Sequence, residues 1–222
     1  MEVREAIRNR RSIRGFKPDP VPRKVLEELL ETCRWAPSSQ NTQTCELAIL
    51  GGKVMAELKS RLEEKVKANV KPYADIPGKE IYEPYLQRAN EMRDTLDTHQ
   101  FPPGTKDLEA KRKAYLLKGA RLFDAPNGIV IYCDKALDNK TLVNAGVMAQ
   151  TIALAATACG LGTCIMFRAV HYPDILREML GIPESKLILM ALAIGYPDPE
   201  FPVNSYPRHR VPLDNIARWH GF

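Results

Sequence analysis

The spacing of apolar residues along the chain predicts a protein of alternating helices and strands. One helix follows Pro22 and stops before Pro37, and its apolar side chains repeat at helical spacing at positions 25, 26, 29, 30 and 33. Further helices are predicted near residues 3–10, 53–68, 80–97, 107–123, 140–158 and 173–180. Strands are predicted near residues 46–50, 128–133, 161–167 and 186–195. Because helices separate the strands, this pattern favours an α+β protein with helices on both faces of one sheet.

Residues 69–106 depart from that alternation. They carry prolines at positions 72, 77, 84, 102 and 103 on either side of one helical run. The composition of this segment does not suggest a second, independent hydrophobic core. At 222 residues the chain is long enough for one well-buried domain. We therefore predict a single domain over residues 1–222 with a lid or insertion at about 69–106, where binding surfaces commonly lie.

An uncharged stretch from Leu142 to Phe167 is long enough to span a bilayer. However, it contains Asn144 and Gln150, and Gly160 and Gly162 interrupt it. A buried, alanine-rich helix followed by a central strand explains these features better than a membrane span. We accordingly expect no membrane partner.

The positive charge of the chain is concentrated at its beginning. The formal net charge is +5, and residues 1–24 account for this excess. Such a concentration suits one anionic ligand better than nucleic acid, which usually needs a wider basic surface and aromatic residues that stack on bases. Five cysteines without a regular spacing argue against a disulfide-rich secreted protein, and no signal peptide opens the chain, so we expect a cytoplasmic protein.

Two polar stretches carry the candidate chemistry. The first, Arg10-Arg11-Ser12-Ile13-Arg14, offers guanidinium groups and a hydroxyl suited to a phosphate, and on a helix positions 10 and 14 would share one face. The second, residues 36–43, is a loop of hydroxyl and amide side chains that can bond the polar edge of a ring. Together they suggest a site for a phosphorylated heteroaromatic cofactor. From composition alone, a solvated basic helix and an ordinary turn remain an equal alternative.

These stretches resemble motifs of the FMN-dependent nitroreductases. The loop Pro37-Ser38-Ser39-Gln40-Asn41-Thr42-Gln43, the turn Gly160-Leu161-Gly162-Thr163-Cys164 and the late Arg208-His209-Arg210 follow the arginine cluster in the order and spacing of that family. The similarity covers nearly the whole chain and is strongest to the nitrobenzene and nitrobenzoate nitroreductase branch. One departure is Thr44-Cys45, where the family usually has Pro-Trp, which removes a large aromatic residue and alters packing or pocket shape.

The resemblance implies a nitroreductase-like fold and a set of cofactor contacts. The fold would be a mixed sheet of four or five strands in a homodimer, with a C-terminal arm at about 205–222 that crosses to the partner and FMN sites at the subunit interface. Contacts to FMN are implied for Arg10, Arg11, Ser12, Arg14, Pro37, Ser38, Ser39, Asn41, Met166, Phe167, Arg208 and Arg210. The loop residues 37–41 would reach the flavin of the other subunit. Met166 and Phe167 lie where the family backbone approaches the flavin, although their side chains could equally belong to the core.

The function implied is an FMN enzyme that takes hydride from NADH or NADPH and reduces nitroaromatic or quinone-like acceptors by ping-pong transfer. The chemistry would be centred on the flavin, with no catalytic side chain and no metal, and we interpret Cys159 and Cys164 as buried structural thiols. Two alternatives stay open. The first is another reaction of the same flavin fold, such as reductive dehalogenation or flavin modification. A deiodinase-type clamp would need a Glu, a Tyr and a Lys aimed at the flavin, and the lid residues Glu80, Tyr82 and Tyr85 do not establish that pattern. The second is a non-catalytic FMN-binding protein, whose flavin NAD(P)H would not reduce.

Overall fold

A computed structural model describes residues 1–222, which form a four-stranded sheet with helices on both faces. The strands are β1 (Glu46–Leu50), β2 (Asn127–Asp134), β3 (Gly162–Met166) and β4 (Lys186–Gly195), and their order across the sheet is β1-β2-β4-β3. The helices are α1 (Val3–Asn9), α2 (Arg23–Cys33), α3 (Gly52–Lys67), α4 (Tyr85–Gln100), α5 (Leu108–Ala120), α6 (Lys140–Ala158) and α7 (Pro173–Leu180). The α+β class predicted from the sequence is confirmed.

The sheet is antiparallel at each of its strand pairings. The expected mixed character is therefore limited to one isolated parallel bridge, between Ser12 and Thr163. The strand order explains this: β2 and β3 run in the same direction, but β4 lies between them and is antiparallel to both, so only the extended segment after α1 runs beside a strand in the same direction.

Two layers of apolar side chains sandwich the sheet. Helices α3 and α7 cover the first face of the sheet and form the first layer with it, in which Met55 is fully buried. Helices α2 and α6 cover the second face and form the second layer, in which Leu29 is fully buried. Successive residues of β2 alternate between them, because neighbouring side chains of a strand point to opposite faces: Ile129 joins the second layer and Val130 the first. Strand β2 is thus covered on both faces, as its continuous apolar run predicts.

Helix α6 is long and apolar enough, by length and composition, to cross a membrane. Its alanine-rich side, including Ala145, Ala149 and Ile152, is buried against the second face of the sheet. The prediction of a buried helix is confirmed, but the strand that follows is not central. Strand β3 lies at the edge of the sheet, and its apolar composition arises because Cys164 and Met166 pack into the first layer.

The segment of residues 69–106 is held to the rest of the chain near Asp75 and is largely exposed beyond it. The Asp75 carboxylate accepts hydrogen bonds from Arg177 Nη2 at 2.7 Å and from the backbone N–H of Ile188 at 2.8 Å, and both charged side chains are about nine-tenths buried. Helix α4, by contrast, buries no side chain. It begins after Pro84, later than the predicted residue 80, because proline is accepted only before or within the first turn of a helix.

Candidate cofactor site

The basic segment after α1 is an extended strand-like segment, not part of a helix. Helix α1 ends at Asn9, and the backbone of Arg10 has left the helical region. The backbone N–H of Ile13 donates to the Thr163 carbonyl of β3 at 2.9 Å, and the Ile13 side chain is buried. The prediction that Arg10 and Arg14 share a helical face is therefore wrong: pairing with β3 replaces the helix, and alternation along an extended chain instead groups positions 10, 12 and 14.

Asn204 holds this segment against the C-terminal region. Its Oδ1 accepts hydrogen bonds from the backbone N–H groups of Arg14 at 2.8 Å and Gly15 at 3.3 Å, and its Nδ2 donates to the carbonyls of Gly15 and Asp198, each at 2.8 Å. The packing is close, because a side chain at Gly15 would overlap the ring of Phe201. Asn204 is 8% exposed and carries no local sequence signal, so sequence reasoning missed it.

The C-terminal arginines join the same cluster. Arg208 donates to the carbonyls of Arg10 and, at 2.6 Å, Arg8, which lie at the end of α1. Burial lowers the pKa of the Arg208 guanidinium, and the nearby positive charges of Arg11, Arg210 and Arg10 lower it further. The structure thus brings together residues that are about 200 positions apart in sequence.

The arginine cluster has no carboxylate partner. The guanidinium groups of Arg11, Arg14, Arg208 and Arg210 donate to backbone carbonyls, and no Asp or Glu forms an ion pair with them or with Arg10. Several other arginines do form ion pairs, as Arg177 does with Asp75. Cations held together without counter-charges are the arrangement that a bound anion stabilises.

Aromatic side chains surround the Arg14 guanidinium. Its Cζ lies 5.9 Å from the ring centre of Phe123 and 5.8 Å from that of Tyr206. Tyr115 packs on Phe123, and burial raises the pKa of its phenol to about 12, although the nearby Arg14 charge acts in the opposite direction. The Tyr115 hydroxyl is buried without a hydrogen-bond partner. Arg14 is therefore held in a largely apolar setting, where its charge acts over a longer distance than in water.

The hydroxyl-rich loop lies apart from the arginines, beside the first half of α6. The Ser38 Oγ accepts a hydrogen bond from the backbone N–H of Gln43 at 2.9 Å, and the backbone N–H of Ser39 donates to Asn144 Oδ1 at 3.2 Å. Gln40 and Asn41 adopt left-handed backbone conformations, with φ near 53° and 54°, which tighten the turn. Pro37 and Asn41 are exposed. No hydrogen bond or ion pair joins this loop to the arginine cluster.

The replacement of Pro-Trp by Thr44-Cys45 coincides with a cavity. Thr44 Oγ1 accepts a hydrogen bond from Asn144 Nδ2 at 3.1 Å. Cys45 lines a cavity of about 280 Å³ together with Pro37 and Ser38. Thr44 and Cys45 thus both contribute to the wall of the cavity beside the loop.

Met166 is the last residue of strand β3 and Phe167 follows it, and their side chains lie in different surroundings. Met166 belongs to the core, whereas Phe167 is 60% exposed and lines an apolar cavity of about 630 Å³ with Leu142, His171 and Met190. Burial and the Arg168 charge lower the pKa of His171 and so favour its neutral imidazole. Of the two residues, only Phe167 has a side chain available to a ligand.

The two thiols interpreted as structural differ in exposure. Cys164 is buried, and burial raises its pKa. Cys159 is exposed, so that half of the interpretation is wrong. The reason is that Cys159 follows the last turn of α6, where the chain turns at Gly160 with a positive φ before entering β3.

The donor set at the basic segment fits flavin mononucleotide. A phosphate monoester carries up to two negative charges and accepts several hydrogen bonds, and the unpaired guanidinium groups with the Ser12 hydroxyl offer both charge and donors.

Comparison with known proteins gives consistent relatives. The model of the Nitroreductase family matches residues 7–196. The chloronitrobenzene nitroreductase of Comamonas testosteroni is 29% identical over 219 residues, which is 97% of this chain and 95% of that protein. The crystal structure of the FMN and NADPH-dependent nitroreductase NfnB from Sphigopyxis sp. strain HMH superposes over the whole of both chains with a TM-score of 0.91 at 26% identity. The FMN-dependent nitroreductase NfnB from Mycobacterium smegmatis, in complex with NADPH, covers 98% of this chain and 97% of its own with a TM-score of 0.88 at 26% identity.

Proposed function

Because this chain belongs to the nitroreductase family, we propose that it is an FMN-dependent oxidoreductase that takes hydride from NADH or NADPH and reduces nitroaromatic or quinone-like acceptors. The single observation that carries the proposal is the arginine cluster without a carboxylate partner, formed by Arg10, Arg11, Arg14, Arg208 and Arg210. The relatives named as nitroreductases, and the related structures described as FMN-dependent, support the same cofactor and donor.

The chain's own residues bind and orient the cofactor in this proposal. Arg10, Arg11, Arg208 and Arg210 hold the phosphate, and Ser12 donates to it or to the ribityl chain. Arg14 lies beside the flavin ring system in this proposal, where its positive charge favours negative charge on the flavin. The aromatic side chains of Phe123 and Tyr206 keep water from the Arg14 guanidinium. FMN, when bound, supplies the two-electron chemistry, so no catalytic side chain is required.

We further infer a homodimer with a cofactor site shared between subunits. Pro37, Ser38, Ser39 and Asn41 form no hydrogen bond to the arginine cluster of their own chain, which supports a role at the site of the partner. The C-terminal arm also leaves large apolar side chains in solvent, among them Ile216 at 71% and Trp219 at 66% exposure, and such exposure is costly unless another surface covers it. In this assembly residues 1–222 form one FMN-binding domain with an insertion at about 69–106 and an arm at about 205–222.

A cytoplasmic location accompanies this function. NADH and NADPH are held inside the cell, and the five cysteines are free thiols, which suits a reducing compartment.

The absorbance spectrum of the purified protein tests the proposal. We expect a yellow protein whose flavin bands bleach on anaerobic addition of NADH or NADPH and return when a nitroaromatic is added. Cofactor released by heat should run as FMN in chromatography. Bound FMN that NAD(P)H does not bleach would favour a non-catalytic flavin-binding protein. Bleaching without reoxidation by nitroaromatics or quinones would favour another reaction of the same fold.

A further inference from the structure

We propose that Arg88 of helix α4 completes a phosphate-monoester site with Arg208 and Arg210. The inference rests on the proposed function, since the monoester would be either the 5′-phosphate of FMN or the 2′-phosphate of NADPH. It assigns a binding role to the insertion, for which the sequence motifs identify no binding residue.

A cavity joins α4 to the C-terminal segment. Its volume is about 390 Å³, and one wall is formed by residues Arg88, Glu91, Met92 and Thr95 of α4. The opposite wall is formed by residues 206–211, which include Arg208 and Arg210. Helix α4 buries no side chain in the core, so this cavity is the surface that the helix shares with the cofactor residues.

The charges around the cavity favour an anion. Arg88 forms no ion pair, and its guanidinium lies 5.5 Å from the ring centre of Tyr85, which holds it in place by a cation–π contact. Arg88 is also in the first turn of α4, where the positive end of the helix dipole disfavours a cation and favours an anion. Three arginines therefore line one cavity, and none of them forms an ion pair.

One carboxylate, that of Glu91, lines the same cavity. It accepts a hydrogen bond from Gln87 Nε2 at 2.9 Å and pairs with none of the three arginines. Its charge would oppose a bound phosphate, so removing that charge should strengthen phosphate binding. Substitutions of Arg88 and Glu91 on the same helix should therefore change phosphate affinity in opposite directions.

Binding measurements with matched variants test the inference. Apoprotein of the wild type, Arg88→Gln, Arg93→Gln and Glu91→Gln would be titrated with FMN and with riboflavin by fluorescence quenching. Arg93 lies on the same exposed helix but outside the cavity, so it is the matched control. The reconstituted enzymes would then be assayed with NADPH and with NADH. Circular dichroism would confirm that each variant is folded.

We expect Arg88→Gln to weaken FMN binding by roughly 10-fold or more, the usual effect of losing one charge-assisted hydrogen bond, and to leave riboflavin binding unchanged. Arg93→Gln should match the wild type, and Glu91→Gln should bind FMN more tightly. A rise in the KM for NADPH alone, with unchanged FMN affinity, would support the same site with the donor as its ligand.

Two results would overturn the inference. Arg88→Gln that behaves like Arg93→Gln with every ligand would remove the phosphate contact. Equal losses for FMN and riboflavin would assign Arg88 to the ring or to the fold instead of to phosphate. Wild-type protein that binds neither FMN nor riboflavin would refute the proposed function itself. That outcome is distinct from the failure of this inference, in which the wild type and Arg88→Gln bind FMN equally well.

Discussion

Asn204→Ala should be the most damaging single substitution at the candidate site. The amide group of Asn204 makes four hydrogen bonds to backbone groups of Arg14, Gly15 and Asp198, and the side chain is almost fully buried. Truncation leaves the N–H groups of Arg14 and Gly15 without an acceptor, whereas the carbonyls of Gly15 and Asp198 each lose one of two donors and keep a backbone N–H at 3.0 and 3.3 Å. A hydrogen bond contributes about 1 kcal/mol net, and a buried group left unpaired costs about 1–3 kcal/mol.

The expected loss is about 3–5 kcal/mol in the free energy of unfolding, because the Gly15 N–H bond is long at 3.3 Å and water can reach part of the segment. For a chain of this size each 1 kcal/mol moves the melting temperature by about 2–4 °C, which gives a fall of roughly 6–20 °C. Affinity for FMN should fall as well, since the basic segment and the C-terminal arginines lose their common anchor.

Denaturant unfolding of the apoprotein, at one fixed protein concentration, measures the loss. Asn90→Ala is the matched control, since Asn90 is exposed on α4 and should change stability by less than about 0.5 kcal/mol. Asn204→Asp should fare no better than alanine at neutral pH, because a carboxylate would face the carbonyls of Gly15 and Asp198. An Asn204→Ala protein as stable as the control would show that the four contacts do not hold the segment.

Three further predictions follow from the same structure. Arg14→Ala should weaken FMN binding by roughly one to two decades and lower the reduction potential of the bound flavin, measured by dye equilibration; unchanged values would mean that Arg14 is merely solvated. Deletion of residues 213–222 should reduce flavin occupancy and convert a particle of about 50 kDa, twice the 25.0 kDa chain, into smaller species in light scattering, and a truncated dimer that keeps its FMN would contradict the shared site. With a thiol reagent at pH 8, Cys159 should react quickly, whereas Cys33, which burial gives a pKa of about 11, should react only on unfolding; equal rates would contradict the burial.

Elements with strong local patterns were predictable from the sequence. Helix α6 and strand β4 have the predicted bounds because each is a long apolar run with clear ends, at Ala158 and at Gly195. The order of the strands was not predictable, since apolar runs in edge and central strands look alike when helices cover the sheet. Strand β3 illustrates this limit, because it was predicted to be central and lies at the edge of the sheet.

The site shows a second limit, which concerns distant partners. The residue types of the arginine cluster indicated an anion, and no periodicity could reveal that Arg10 to Arg14 would pair with β3 instead of continuing α1. The role of Asn204 was missed for the same reason. Its importance comes from backbone groups nearly 190 residues away, and a single asparagine in a loop carries no mark of such contacts.

The extended segment after α1 also has a consequence for handling the protein. Strand β3 is the last strand of the sheet, and the pairing of Ser12 and Ile13 with Thr163 covers its outer edge. An open edge offers unpaired N–H and carbonyl groups to a strand of another molecule, which is a common start of aggregation. Shortening the chain beyond Ile13, or fusing a bulky tag directly to that segment, would therefore be expected to reduce recovery from expression even where no flavin is involved.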